Sequence, residues 1–188
     1  MRKFFTFLII NFSFFVIAQN LDLKNTVDKN YELPQELLKN DVGIIYEING
    51  GWSAYDYVNY YFIDGNGNIN SYSEEKPKTY LKNDTLKRSI KKVELTQESK
   101  YKIIQLLNSN QLSELLKYRQ EDFKIKVNEN LPPPCYISDQ IGYKLTFIQN
   151  NKQNSYNYYA PKYFYEKCPH KTINKAMLKK FIDVLALF

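Results

Sequence analysis

One histidine, two cysteines and a scatter of carboxylates are what this chain offers for acid–base, nucleophilic or metal chemistry. His170 is the only histidine and stands in Lys167-Cys168-Pro169-His170-Lys171, so any Ser–His or Cys–His mechanism would have to use it. Glycosidases need two carboxylates flanking the scissile bond, and Asp56 with Asp139 would be such a pair, although any chain of this size offers one. The sequence has no Gly-x-Ser-x-Gly elbow, His-Glu-x-x-His helix, P-loop or dinucleotide fingerprint. Cys135, Cys168 and His170 are one ligand short of a structural zinc site and lack its second close pair. In an exported protein the two cysteines are instead expected to join as a disulfide. No cofactor is expected, and a small secreted hydrolase using His170 or a carboxylate pair stands as the alternative to a non-catalytic binding protein.

A second motif is Asp64-Gly65-Asn66-Gly67-Asn68. It resembles the start of an EF-hand calcium loop, with Asp64, Asn66 and Asn68 in the first, third and fifth places and Glu75 in the twelfth. Ile69 occupies the sixth place, where that loop needs glycine for its sharp turn, and only Asp64 and Glu75 carry charge. Asp-Gly and Asn-Gly are also ordinary hairpin chemistry, so a plain β-turn is the expectation and no metal is assigned.

The aromatic residues point to recognition rather than catalysis. The chain has 17 Tyr, 12 Phe and a single Trp, and Tyr supplies large amphipathic contact area at low entropic cost. Trp52 follows Gly50-Gly51 at an expected hairpin tip, beside Tyr55 and Tyr57. Exposed there, it would stack on a sugar ring or fill a partner's pocket. Burial statistics of large aromatics favour the opposite, a Trp folded back onto the sheet. Tyr136, Tyr143, Tyr156, Tyr158, Tyr159, Tyr163 and Tyr165 crowd the half that holds both cysteines. Trp52, Tyr55, Tyr57, Tyr158 and Tyr163 are the candidate ligand-binding residues. Tyr is also a common strand residue, which accounts for part of the abundance.

The compartment is read from the N-terminus. Arg2 and Lys3 precede a mostly apolar run over 4–17 that ends Val16-Ile17-Ala18-Gln19, the pattern of a secretory signal peptide cut after Ala18. The run is short for a membrane span, and no second stretch approaches one. The protein is therefore expected in the periplasm or outside the cell. Losing Arg2 and Lys3 would lower the formal charge from +6 to +4, and the remaining cations are nearly all Lys. Nucleic-acid readers favour the forked contacts of Arg, so that partner class is excluded and an unknown protein or glycan is expected. Asp84-Thr85-Leu86 resembles a bacterial O-glycosylation site over three residues.

These side chains need a scaffold, and its elements are legible as patterns. Residues 42–48, 54–63 and 68–73 read as strands separated by Asn49-Gly50-Gly51 and Asp64-Gly65-Asn66-Gly67, a meander of hairpins. Tyr55, Tyr57, Tyr61 and Ile63 alternate with Val58, Tyr60 and Phe62, which predicts opposite faces. A weak strand is expected over 87–95, where Lys87, Arg88, Lys91 and Lys92 suit a solvated edge, and another at Phe123, Ile125 and Val127. Thr96 is expected to cap a helix that pauses at Asn108-Ser109-Asn110 and resumes over 111–118. Residues 141–149 and 154–160 form another hairpin, and Thr172 is expected to cap a last helix with stripe Ile173, Met177 and Phe181. A short helical turn is expected at 35–39. The fold class is therefore α+β: an antiparallel sheet built from hairpins with two or three helices packed on one face. A polar segment over 19–40 precedes a single domain at 41–188.

Overall fold

The computed structural model describes residues 20–27, 32–81, 85–127 and 135–188. The leader at 1–18, Asp84 of the Asp-Thr-Leu site and the proline run at 132–134 lie outside the described residues. The strands are β1 (Asn25–Thr26), β2 (Val42–Gly50), β3 (Tyr55–Ile63), β4 (Ile69–Pro77), β5 (Ser89–Val93), β6 (Ile141–Gln149) and β7 (Lys152–Tyr159). They form one antiparallel sheet in the order β1-β7-β6-β2-β3-β4-β5. The helices are α1 (Gln97–Leu107), α2 (Asn110–Leu116), α3 (Pro161–Glu166) and α4 (Lys175–Leu185), with a 3-10 turn at Gln120–Phe123. The α+β class with an antiparallel sheet is as the patterns require.

Alternation along the strands decides the two faces. Ile44, Ile63, Leu145, Phe147 and Tyr156 point to one side, where Ile103, Leu106, Leu115, Met177 and Phe181 of the helices complete the main core. Full burial of each such side chain stabilises by about 1.5–3 kcal/mol before entropy is counted. Val58, Tyr60 and Phe62 point the other way and join Ile45 and Ile148 in a smaller cluster. This is the division expected for the second hairpin strand. The two groups of hairpins become one sheet because β6 lies along the whole of β2, from Val42 opposite Gln149 to Gly50 opposite Ile141.

Helix starts follow side-chain capping. The Thr96 hydroxyl accepts from Ser99 N, and Ser109 accepts from Leu112 N, so the pause at 108–110 is a true break between two capped helices. The last helix differs from expectation: Asn174, not Thr172, is its cap, accepting from Met177 N at 3.1 Å. Thr172 is engaged by His170, whose Nδ1 lies 2.6 Å from its hydroxyl. Ile173 is drawn into a bridge with Lys124, and that single bridge replaces the strand expected over 123–127. Residues 161–166, for which the sequence patterns predict no element, are helical, opened by Pro161 after Ala160 in a left-handed conformation.

The N-terminal segment belongs to the fold. Asn25 and Thr26 pair with β7, Leu23 is buried in the main core, and Lys24 N donates to Asn154 Oδ1 at 2.8 Å. Further on, Leu33 and Leu37 lie across the smaller cluster. Residues 35–39 run from a bend at Gln35 to a turn at Lys39 and form no helix.

The β3–β4 turn is organised by one carboxylate. Asp64 Oδ1 accepts from Asn66 N and Asn68 N at 2.8 Å, and its Oδ2 accepts from Asn68 Nδ2 at 2.8 Å. Glu75 sits near the far end of β4, six residues beyond Ile69, roughly 20 Å along the strand. Glu75 is therefore not brought to Asp64, Asn66 and Asn68, and the calcium-loop pattern is not completed. Chiefly through the Asn68 side chain, these bonds hold the Asp64 carboxyl below the usual carboxylate range. A lowered folded-state pKa gives stability that is fully present above the unfolded value and lost as pH falls through the folded one. Asp64→Ala is thus expected to cost no more than about 0.5 kcal/mol at neutral pH, because water screens these exposed bonds, and to converge with the parent in acid, as read by denaturant midpoints across the carboxylate range.

Candidate functional site

Three loops meet at the end of the sheet where β2 turns into β3. The tip spans residues 51–54 and is pinned from both sides. Gly51 N donates to Gln140 O at 3.2 Å, from the loop before β6, and Lys78 N donates to Ala54 O at 3.0 Å, from the loop after β4. Gly50 has φ of +82°, and a Cβ there would stand 2.7 Å from Gln140 O, so both conformation and crowding demand glycine. Ser53 Oγ accepts from Tyr55 N and donates to the Tyr57 hydroxyl, which fixes the return into β3.

Lys78 is the anchor of this tip. It is only 5% exposed, and its ammonium donates to Gly50 O at 2.8 Å and Gly51 O at 3.1 Å. Its Nζ also lies 6.0 Å from the centre of the Tyr80 ring, a cation–π contact. Lys78→Met keeps the stem but removes both charge-assisted bonds, with an expected cost of about 2 kcal/mol. Trp52 reports on the same change: its fluorescence anisotropy should fall in Lys78→Met and stay constant in an exposed control such as Lys102→Met.

On this pinned end the aromatic residues stand out into solvent. Trp52 is 90% exposed, Tyr136 87%, Tyr80 70% and Tyr57 40%. The expectation of a Trp folded back onto the sheet is overturned by its exposure, on a tip whose flanking residues Gly51 and Ala54 are bonded to neighbouring loops. Tyr57 lies in one register row with Ile48, Tyr143 and Tyr158, on the helix-bearing face. Tyr55 is half-buried two residues before it.

Beside these rings lies a cleft of about 260 Å³ between the end of β6 and helices α3 and α4. Tyr46, Tyr143 and Tyr163 line it, with Gln140 and Lys162 as polar groups. Burial pushes the Tyr46 hydroxyl up to about 12, with the neighbouring Tyr143 and Tyr61 adding to the effect, so it is a neutral phenol throughout the physiological range. Tyr163 donates to Tyr136 O at 3.4 Å and so couples the cleft to the exposed loop. Tyr158 is separate: Phe123 and Phe164 pack on it at ring distances of 4.8 and 5.9 Å, and burial raises its pKa. Of the five candidate residues, the structure gathers Trp52, Tyr55 and Tyr57 at the tip, places Tyr163 in the adjoining cleft and leaves Tyr158 half-buried against the core, lining a second cleft with Phe123, Phe164 and Ile173. Tyr80 and Lys78 escaped sequence reasoning because they sit in a Lys-rich loop that reads as solvated.

The residues considered for catalysis do not line this cleft. His170 is part-buried against Thr172. Asp56 lies on β3 opposite Lys76, Asp139 is an exposed loop residue with φ of +57°, and neither lines the cleft. Among the described residues, no group of three or more His, Cys, Asp or Glu is arranged to hold a metal ion. Cys135 and Cys168 are joined in a disulfide with Cα atoms 5.7 Å apart, which ties the Tyr136 loop to the segment after α3. Comparison with known protein families and with curated proteins finds no match to this chain.

Proposed function

We propose that this is an exported, non-catalytic binding protein whose recognition surface is the aromatic end of the sheet, with a protein or a glycan as ligand. The observation that carries the proposal is the exposure of Trp52 on a tip held by Lys78 and Gln140. A large aromatic side chain kept in water on a fixed backbone adds nothing to folding and matches the anchors of recognition surfaces. Export is supported by the leader-like N-terminus and by the disulfide, which persists in oxidising compartments. Among the described residues no helix is long and apolar enough to cross a membrane.

The test compares the parent with Trp52→Ala and His170→Ala, each probed against cell-envelope protein and polysaccharide fractions by surface-immobilised binding. Retention should be lost in Trp52→Ala and unchanged in His170→Ala, with equal melting temperatures. Turnover of any envelope fraction that disappears in His170→Ala, without loss of stability, would overturn the proposal in favour of the hydrolase.

A further inference from the structure

The strand order sets the loops that carry the exposed rings side by side. Tyr136 lies in the loop entering β6, Trp52 in the β2–β3 tip and Tyr80 in the loop leaving β4. The strands that carry them are neighbours in the order β6-β2-β3-β4. With adjacent strands about 4.8 Å apart, the loops span roughly 14 Å, with Trp52 near the middle. The tip does not project as a finger. Gly50 pairs with Ile141 and Tyr55 with Pro77, so the flanking strands reach as far as the hairpin does, and the three loops end together.

Chemistry narrows what such a set of loops can hold. Thr79, Ser138 and Gln140 are exposed between the rings and offer hydroxyl and amide groups. Residues 51–54, 78–81 and 136–140 carry one cation and one anion, Lys78 and Asp139, although the whole chain has a formal charge of +6. The cation is turned inward to the Gly50 and Gly51 carbonyls. These loop residues thus carry no positive excess among themselves of the kind that would draw an anionic polymer. Pyranose rings present a C–H face to aromatic rings and a girdle of hydroxyls to amides and hydroxyls, and repeat along an extended chain.

Resting on the binding role proposed above, we infer that Tyr136, Trp52 and Tyr80 form a platform for an extended, uncharged polysaccharide, each ring stacking on a sugar unit. The stacking needs no cofactor. Lys78 acts as a positioning residue, holding the central ring through the tip.

The test uses the purified protein with cellulose, chitin, curdlan and mannan as insoluble probes, and their soluble oligosaccharides in titrations read by Trp52 fluorescence. At least one neutral series should bind saturably and shift the emission. Trp52→Ala, followed by co-sedimentation, and Tyr80→Ala should each weaken binding about tenfold. Combining these two with Tyr136→Ala should abolish it at unchanged melting temperature. Lys78→Met, which keeps all three aromatic residues but frees the tip, should weaken binding. Retention of binding by the triple variant would overturn the platform. Failure of all four polysaccharides, together with a protein partner whose cross-linking depends on Trp52, would overturn the polysaccharide and leave the binding role standing. Failure of both arms would overturn the two proposals together.

Discussion

Reduction of the Cys135–Cys168 bridge is expected to lower stability by about 3.5–4 kcal/mol, the chain entropy regained when a loop of this length is opened. The two cysteines are 33 residues apart, and Cys168 is fully buried among core side chains. For a protein of this size the loss corresponds to a melting temperature lower by roughly 10 °C. Thermal unfolding with and without a phosphine reductant measures it, and alkylation of native protein purified in air should find no free thiol. Two alkylatable thiols in that sample would contradict the bridge. The same bond tethers Cys135, next to Tyr136, so reduction should also loosen the loop that carries that ring. A fall in ligand affinity under reducing conditions, larger than that in Trp52→Ala already reduced, would show the coupling.

The second large effect is expected at Arg88. Glu74 is 1% exposed, on the face opposite the helices, and its carboxylate accepts hydrogen bonds from the Tyr60 hydroxyl and Arg88 Nε. Arg88 also meets Glu32 at 3.0 Å, and the hydrogen bonds to Glu74 and then Glu32 push the guanidinium further above its already high range. Removing the cation leaves a buried carboxylate without its counter-charge, which costs far more than the pair itself contributes. Arg88→Met should therefore destabilise by about 3 kcal/mol, at the lower end for buried pairs because Arg88 is partly exposed. Glu74→Leu combined with Arg88→Met should recover at least half of that loss. Urea unfolding of the two single variants and the double variant gives the coupling directly. A double variant no more stable than Arg88→Met alone would show that the loss came from packing of the Arg stem instead.

This ion pair also shows where sequence reasoning stops. Arg88 was legible only as one of four cations suited to a solvated edge strand. Its partners Glu74 and Glu32 are 14 and 56 residues away, and only the sheet brings them together. The aromatic end has the same origin. Trp52, Tyr55 and Tyr57 were candidates because they adjoin one turn signal. Tyr80 and Tyr136 join them because β4 and β6 end at the same height as the hairpin.

The sequence by itself determined what depends on near neighbours. Alternation assigned the two faces of β3, glycine and asparagine marked the hairpins, Thr96 began a helix, and the bridge had only one possible pairing among two cysteines. Each is set by local backbone sterics, by a hydrogen bond across three or four residues, or by elimination. The tertiary structure decided the rest: the pairing of β6 with β2, the edge strand β1, the bridge of Ile173 with Lys124 just before the Asn174 cap, and the exposure of Trp52. These depend on contacts between residues far apart in the chain, whose competition for one core or one hydrogen-bond donor leaves no local periodicity to read.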